Sequence, residues 1–349
     1  MLVSFIIYKF ILCGVFFLIA LGIAAYATYG ERKVAAWMQD RIGPDRAGPY
    51  GLWQPLADGV KMFMKEDLTP QNSNSWLFIL GPSLAMLTAL MTGVVIPWGT
   101  PITIGGESFP LQITDINIGV LYLFGVVSIG VYGIMIGGWA SNNKYSLLGA
   151  LRASSQMISY EIAMGLAIIA LIMKTGTLSM AEIVRQQDEG FANVVYQPIG
   201  FLIFLICAFA ETNRAPFDLP ECETELVGGY HTEYSSMKLG FYLFAEYINM
   251  FISSAVMASL YFGGYNFPFQ HEIANLLHIN DTLGFTILQT MLFFGKIIFF
   301  IFFFMWIRWT IPRFRYDQLM NLGWKALLPL AIVNIMVTGI VMWATGQLQ

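Results

Sequence analysis

Six carboxylic acids, Glu211, Asp218, Glu221, Glu223, Glu225 and Glu233, fall in the stretch ETNRAPFDLPECETELVGGYHTEY from Glu211 to Tyr234, where Arg214 is the only Lys or Arg. In a chain with 11% charged residues, that density needs a reason. Acids two residues apart, as Glu221, Glu223 and Glu225 are, repel one another. Repulsion with partial desolvation moves carboxyl pKa values up, towards the range where protons are exchanged near neutral pH. Pro216 and Pro220 fix the backbone and remove amide donors, so the acids are expected on a stiff, non-helical connection. The chemistry on offer is proton uptake and transfer. A solvated acidic loop is the plain alternative, and the flanking sequence decides between them.

That flanking sequence is apolar. Hydrophobic residues are 57% and aromatic residues 15% of 349, which places the chain among integral membrane proteins. No basic patch of the kind nucleic acid requires is present. Apolar runs occur near 5–28, 76–98, 116–140, 154–174, 196–211, 239–262, 285–307 and 325–345. Each can cross a hydrocarbon core of roughly 30 Å, the fifth only by extending past Glu211. The first is longer than a signal-peptide core and is expected to stay. The fold predicted is an all-α polytopic membrane protein with eight transmembrane helices and one interfacial amphipathic helix, a single integral membrane domain over 1–349.

The connections after predicted helices one, three, five and seven hold Arg32, Lys33, Arg41, Arg46, Lys61, Lys65, Lys144, Arg152, Arg214, Lys238, Arg308, Arg313, Arg315 and Lys325, which is 14 of the 18 Lys and Arg residues. By the positive-inside rule both termini then lie on the non-cytoplasmic side, and loops 30–75 and 211–238 form a cytoplasmic platform. Within the first loop, LWQPLADGVKMFMKE (Leu52–Glu66) puts Trp53, Leu56, Val60, Phe63 and Met64 on one helical face and Asp58, Lys61 and Lys65 on another. This pattern suits a short helix in the interface plane, with Pro55 in its first turn. It reads either as a membrane-hugging brace or as the floor of a lipid-side entrance for an amphiphile.

Charges inside the spans are the rarest class. Glu161 is predicted about seven residues, roughly 10 Å, into helix four from the cytoplasmic side; Glu246 lies at similar depth in helix six, and Glu211 closes helix five. An ionised side chain near the bilayer centre costs about 3 kcal/mol or more, so these acids must face the bundle interior and find a partner or water. They read as a buried row leading to the acidic loop; a structural salt bridge with Lys296, near the middle of helix seven, is the competing reading. Gly133 and Gly137 are spaced for close helix packing.

Several chemistries find no support. His231, His271 and His278 all fall in connections, so no helical pair can hold a membrane haem. Cys13, Cys207 and Cys222 have no iron–sulfur or zinc spacing, and no metal site is expected. No Gly-rich phosphate loop or nucleotide fingerprint is present, and the two halves show no evident repeat. The chain is expected to carry no redox centre of its own.

Two long segments carry a family likeness. GLWQPLADGVKMFMKE (Gly51–Glu66) and PFDLPECETELVGG (Pro216–Gly229) resemble the signature segments of the quinone-site membrane subunits of respiratory complex I, the H-type subunits of bacterial NADH:quinone oxidoreductase. The likeness extends through GERK (Gly30–Lys33), QDRIGPDRAGPYG, SYE (Ser159–Glu161) and AETNR (Ala210–Arg214), and leaves 99–115 and 263–283 unassigned. It implies an eight-helix translocase subunit of a bacterial inner membrane, without independent activity. A quinone tunnel, for ubiquinone or menaquinone as substrate, would open beside helix one, the interfacial helix and helix six. The matching tunnel positions are Glu31, Arg32, Arg41, Asp58 and Phe217. The acidic path coupling quinone reduction to proton transport matches Glu161, Glu211, Asp218, Glu221, Glu223, Glu225 and Glu233, with Glu246 as a looser match. Soluble partner subunits would hold the iron–sulfur clusters and FMN, and antiporter-like membrane subunits would complete the pump. A homologous hydrogenase or formate hydrogenlyase subunit, a stand-alone transporter and a scaffold are the alternatives.

Overall fold

The computed structural model describes residues 2–104, 107–188, 190–218, 226–268, 270, 272 and 283–346. In chain order the helices are α1 (Leu2–Met38), α2 (Gln54–Met64), α3 (Ser75–Thr92), α4 (Gly119–Ala140), α5 (Lys144–Thr175), α6 (Met180–Gln186), α7 (Asn193–Tyr196), α8 (Pro198–Glu211), α9 (Ser236–Tyr261), α10 (Leu283–Thr310), α11 (Tyr316–Asn321) and α12 (Leu328–Ala344). Among the described residues, seven segments are long and apolar enough to cross a membrane: α1, α3, α4, α5, α9, α10 and the continuous run Tyr316–Ala344 through α11 and α12.

Three elements differ from the sequence expectation. The fifth run does not extend past Glu211: α8 has 14 residues, about 21 Å at 1.5 Å each, against a core of roughly 30 Å. Pro198 sets its start, and the turn at Thr212 and Asn213, where Asn213 takes a φ of 48°, stops it. Helix α5 begins at Lys144, ahead of the predicted 154, because the Asn143 side chain accepts from the Tyr145 amide at 2.9 Å and caps it. Its first turns carry polar residues that a hydropathy reading passes over. Of these, Ser146 is buried and donates to Tyr230 O at 2.7 Å, and a Cβ on nearby Gly149 would stand 2.7 Å from Gly229 Cα. The chain is also not wholly helical. Part of the unassigned 99–115 segment forms an antiparallel hairpin, β1 (Ile102–Ile104) and β2 (Glu107–Phe109), pairing Ile102 with Phe109.

The helix ends gather at two faces. At one face the end of α1, the start of α3, the α4–α5 junction, the α8–α9 connection and the segment after α10 meet. They are tied by Glu31 to Arg214 (3.1 Å), Asp218 to Arg313 (3.0 Å), and the Tyr234 hydroxyl donating to Phe78 O (3.1 Å). This is the basic face, since it carries the 14 Lys and Arg residues named above. At the opposite face, Tyr8 donates to Pro110 O (3.0 Å), Lys174 to Asn193 Oδ1 (2.9 Å) and Asn266 to Val184 O (2.8 Å).

Packing follows the glycines. A Cβ on Gly81 would stand 2.8 Å from Gly137 Cα, and one on Gly137 would overlap the Tyr242 hydroxyl. The expected close contact through Gly133 and Gly137 therefore joins α4 to α3, and the space left takes a tyrosine from α9. On α2 the expected amphipathic pattern holds. Pro55 sits in its first turn, Trp53, Leu56, Val60, Phe63 and Met64 are exposed, and Asp58 turns inward.

Candidate functional site

The bases and acids at the basic face enclose a cavity of about 400 Å³ between α1, α2 and α9. Glu31 and Arg32 come from the last turns of α1, Asp58 and Lys61 from the inward side of α2, Glu246 and Tyr247 from α9, and Arg308 from the end of α10. Arg32 pairs with Asp58 at 2.8 Å, which fastens the interfacial helix to α1. Glu31, although buried, holds two bases: Arg214 at 3.1 Å and Arg308. It also accepts from the Tyr247 hydroxyl at 2.8 Å.

Arg214 is the hub. Its guanidinium reaches Glu31 on one side and Glu246, 3.9 Å away, on the other, and lies 4.0 Å over the Tyr247 ring. Burial alone would pull its pKa down; Tyr247, Glu31 and Glu246 together overcome that and hold it above the ordinary arginine value, so it stays charged. Counting Arg32, Arg41, Lys61, Arg214 and Arg308 against Glu31, Asp58 and Glu246, the wall carries five bases to three acids. A positive, partly apolar cavity of this kind stabilises negative charge that develops on a ligand inside it.

A second, inner cavity of about 70 Å³ lies between α3, α4, α5, α8 and α9. Glu246 borders both cavities. The Tyr230 hydroxyl donates to Glu246 Oε1 at 3.0 Å. Glu211 also borders the inner cavity, and its buried Oε2 has no hydrogen-bond partner among the described residues. Glu161 acts electrostatically on Glu211 and accepts from Ser128 Oγ of α4. Because α5 starts early, Glu161 is 17 residues into its helix, about 25 Å along it, the first ten of those residues preceding the apolar run.

Other expected site residues lie apart. Phe217 does not border the larger cavity; it is buried between Tyr160 and Phe314, with ring centroids 5.5 and 5.6 Å away. Asp218 is buried and paired with Arg313, and Glu233 accepts from Asn143 Nδ2 at 2.6 Å. Glu221, Glu223 and Glu225 lie outside the described residues, as do His271, His278 and Cys222. Lys296 is not the partner of the buried acids. Its ammonium donates to Phe262 O, Gly264 O and Asn266 O at 2.7, 2.8 and 2.5 Å, closing the end of α9 near the opposite face. Sequence reasoning also missed Arg308, Tyr230, Tyr247 and Gln156. The last, on α5, donates to Ala210 O (2.9 Å) and Phe217 O (3.0 Å) and so clamps the turn that presents Arg214. A tyrosine directly after Glu246 was the one local signal available.

The family model described as NADH dehydrogenase matches residues 11–339. The chain is 67% identical over 337 residues to the first H-type NADH-quinone oxidoreductase subunit of Cytophaga hutchinsonii, covering 97% of each. The chain belongs to the NADH dehydrogenase family. Other relatives are the H-type NADH-quinone oxidoreductase subunit of Flavobacterium psychrophilum, 62% identical with 97% of each chain covered, and the first such subunit of Geobacter metallireducens, 47% identical with 93% of each covered. This NADH dehydrogenase family member, with its apolar membrane-length helices, is a multi-pass protein of the bacterial inner membrane. Its Glu31, Arg32, Arg41 and Asp58 share the larger cavity, while Glu211 and Glu246 share the inner one.

Proposed function

We propose that the larger cavity receives a quinone head group and that Glu246 passes the resulting demand for protons into the carboxylate row. As a family member, the chain is a subunit of an NADH-quinone oxidoreductase, and other subunits of that complex are its partners. Electrons reach the quinone from iron–sulfur and FMN-bearing partners, and antiporter-like subunits complete the pump; the chain itself holds no redox group. The observation that carries this reading is that Glu246 borders both cavities while paired with Arg214.

The residues then act in sequence. Reduction places negative charge near Arg32, Arg214 and Arg308, which stabilise it. Those guanidiniums are shared with Glu31 and Glu246, so a new anion competes for them and raises the proton affinity of both acids. Glu246 takes up a proton, Glu211 responds across the inner cavity, and Glu161 responds to Glu211. The stiff segment through Asp218, clamped to Arg313, converts the change into movement transmitted to partners, together with Glu221, Glu223, Glu225 and Glu233. Phe217 supports this segment from behind.

The basic face is assigned to the cytoplasm, with both termini opposite, by its excess of Lys and Arg. Helix α8 serves as the eighth crossing, and the chain forms one membrane domain. Supporting this, its start lies near the opposite face, where Gln197 Nε2 donates to Thr338 Oγ1 at 2.8 Å, and its end lies at the basic face beside Gln156.

The test is purified complex in proteoliposomes. Glu211→Gln and Glu161→Gln are expected to assemble, to keep NADH oxidation with an artificial acceptor, and to move fewer protons per electron. Undiminished proton transport in both variants sinks the reading.

A further inference from the structure

The larger cavity and the carboxylates do not account for the lower half of the inner cavity. On α9, Tyr242, Glu246, Asn249 and Ser253 recur at spacings of four, three and four and all border that cavity, forming one polar stripe on the side of the helix that faces it. Thr88 of α3 faces the stripe from across the cavity, and Thr92 lies one turn further from the basic face. From Glu246 to Ser253 the stripe descends about 10 Å towards the opposite face.

We propose that this part of the inner cavity is a water-filled proton branch, leading from Glu246 towards the opposite face and closed at its lower end by Ile252 and Phe16. This rests on the reading of Glu246 given above.

The hydrogen-bond accounting supports water. Asn249 and Ser253 are half-buried, and among the described residues their side chains have no hydrogen-bond partner. Polar groups at membrane depth without partners cost several kcal/mol, so they are found where protein or water satisfies them. The Thr88 hydroxyl donates to Leu84 O at 2.9 Å and the Thr92 hydroxyl to Ala89 O at 2.7 Å, which leaves their oxygen lone pairs as acceptors towards the cavity. A volume of about 70 Å³ holds on the order of five waters. A protonated Glu246 gives its proton to the first water, and each water passes one of its own onward, leaving a carboxylate above and the excess proton below.

The lower end is apolar. Ile252 borders the cavity, and the space a Cβ on Gly93 would fill is occupied by the Phe16 ring and by Ile252 Cδ1 at 2.8 Å. Phe16 in turn rests on Trp98, with ring centroids 5.6 Å apart. Beyond this plug polar groups resume: Gln112 donates to Val95 O at 2.8 Å, and Lys9 donates to Gln112 O.

The test uses the whole complex in proteoliposomes with three variants. Asn249→Leu and the isosteric Thr88→Val should each lower protons moved per electron by about half, with uncoupled NADH:quinone turnover kept. Phe16→Ala should let an imposed pH gradient decay several-fold faster without turnover, and Asn249→Leu in that background should restore tightness. If Asn249→Leu does not assemble, Thr88→Val carries both arms. Unchanged stoichiometry in the dry variants, or a Phe16→Ala leak that they do not stop, overturns the branch. If Glu246→Gln translocates normally, the carboxylate reading itself has failed; if Glu246→Gln is impaired while the branch variants are not, only the branch has.

Discussion

Arg214 has a carboxylate on either side of its guanidinium and an aromatic ring beneath it. A lysine ammonium lacks the planar fork that lies over the Tyr247 ring while turning separate N–H groups towards two acids, so Arg214→Lys is not conservative at this position. A charge-assisted hydrogen bond contributes about 1.5–3 kcal/mol, so this variant is expected to lower kcat/KM for quinone by about tenfold or more in complex that still assembles. Steady-state kinetics on purified complex checks it, and an unchanged kcat/KM counts against Arg214 as the hub. Lys296 belongs to the other class of membrane charge. It neutralises carbonyls at a helix end, so Lys296→Met is expected to lower the thermal midpoint of the complex and leave protons per electron intact, because buried acceptors left without donors cost about 1–3 kcal/mol each. Lost stoichiometry at an unchanged midpoint would move Lys296 into the proton path.

At the scale of elements, α2 shows how a helix with no buried residue is held: the Asp58 to Arg32 pair joins it to α1, while its apolar side faces outward. Truncating Phe63 and Trp53 to Ala is expected to raise the apparent KM for a long-tailed quinone more than for a short-tailed one, with little loss of assembly. Equal KM values for both remove the entrance reading of α2. Gly137→Ala is expected to reduce assembled complex in membranes, since its Cβ overlaps the Tyr242 hydroxyl, and Tyr242→Phe should restore part of it. Much of this was legible in the sequence. The amphipathic period of Leu52–Glu66 set the face that α2 turns outward, and the Gly133 and Gly137 spacing marked the α4 contact. Element ends were less legible. Hydropathy cannot see that Asn143 caps α5 ten residues early, or that the turn at Asn213 halts α8 at Glu211. Glu31, Arg214 and Arg308, more than 90 residues apart in each step along the chain, meet only through tertiary packing, which no local period reports.

For the whole molecule, Glu31 and Asp58 border the larger cavity, Glu211 the inner one, and Glu246 is the side chain at which the two cavities touch. The larger cavity has the volume and positive wall to hold an anionic head group; in the inner one, Thr88, Glu211, Glu246, Asn249 and Ser253 offer polar groups to water. On the function proposed above, what joins quinone chemistry to the membrane-buried carboxylates is Glu246, which contacts Arg214 and Tyr230. The sequence flagged Glu246 by its depth in an apolar span; its partners were visible only in the fold. The most direct measurement is a redox-triggered infrared difference spectrum of the complex with bound quinone, recorded for the natural protein and for Glu246→Gln. Reduction of the quinone is expected to produce a carboxyl protonation band in the natural protein that disappears in the variant. The same band in both would show that the redox event is not felt at Glu246 and would contradict this account.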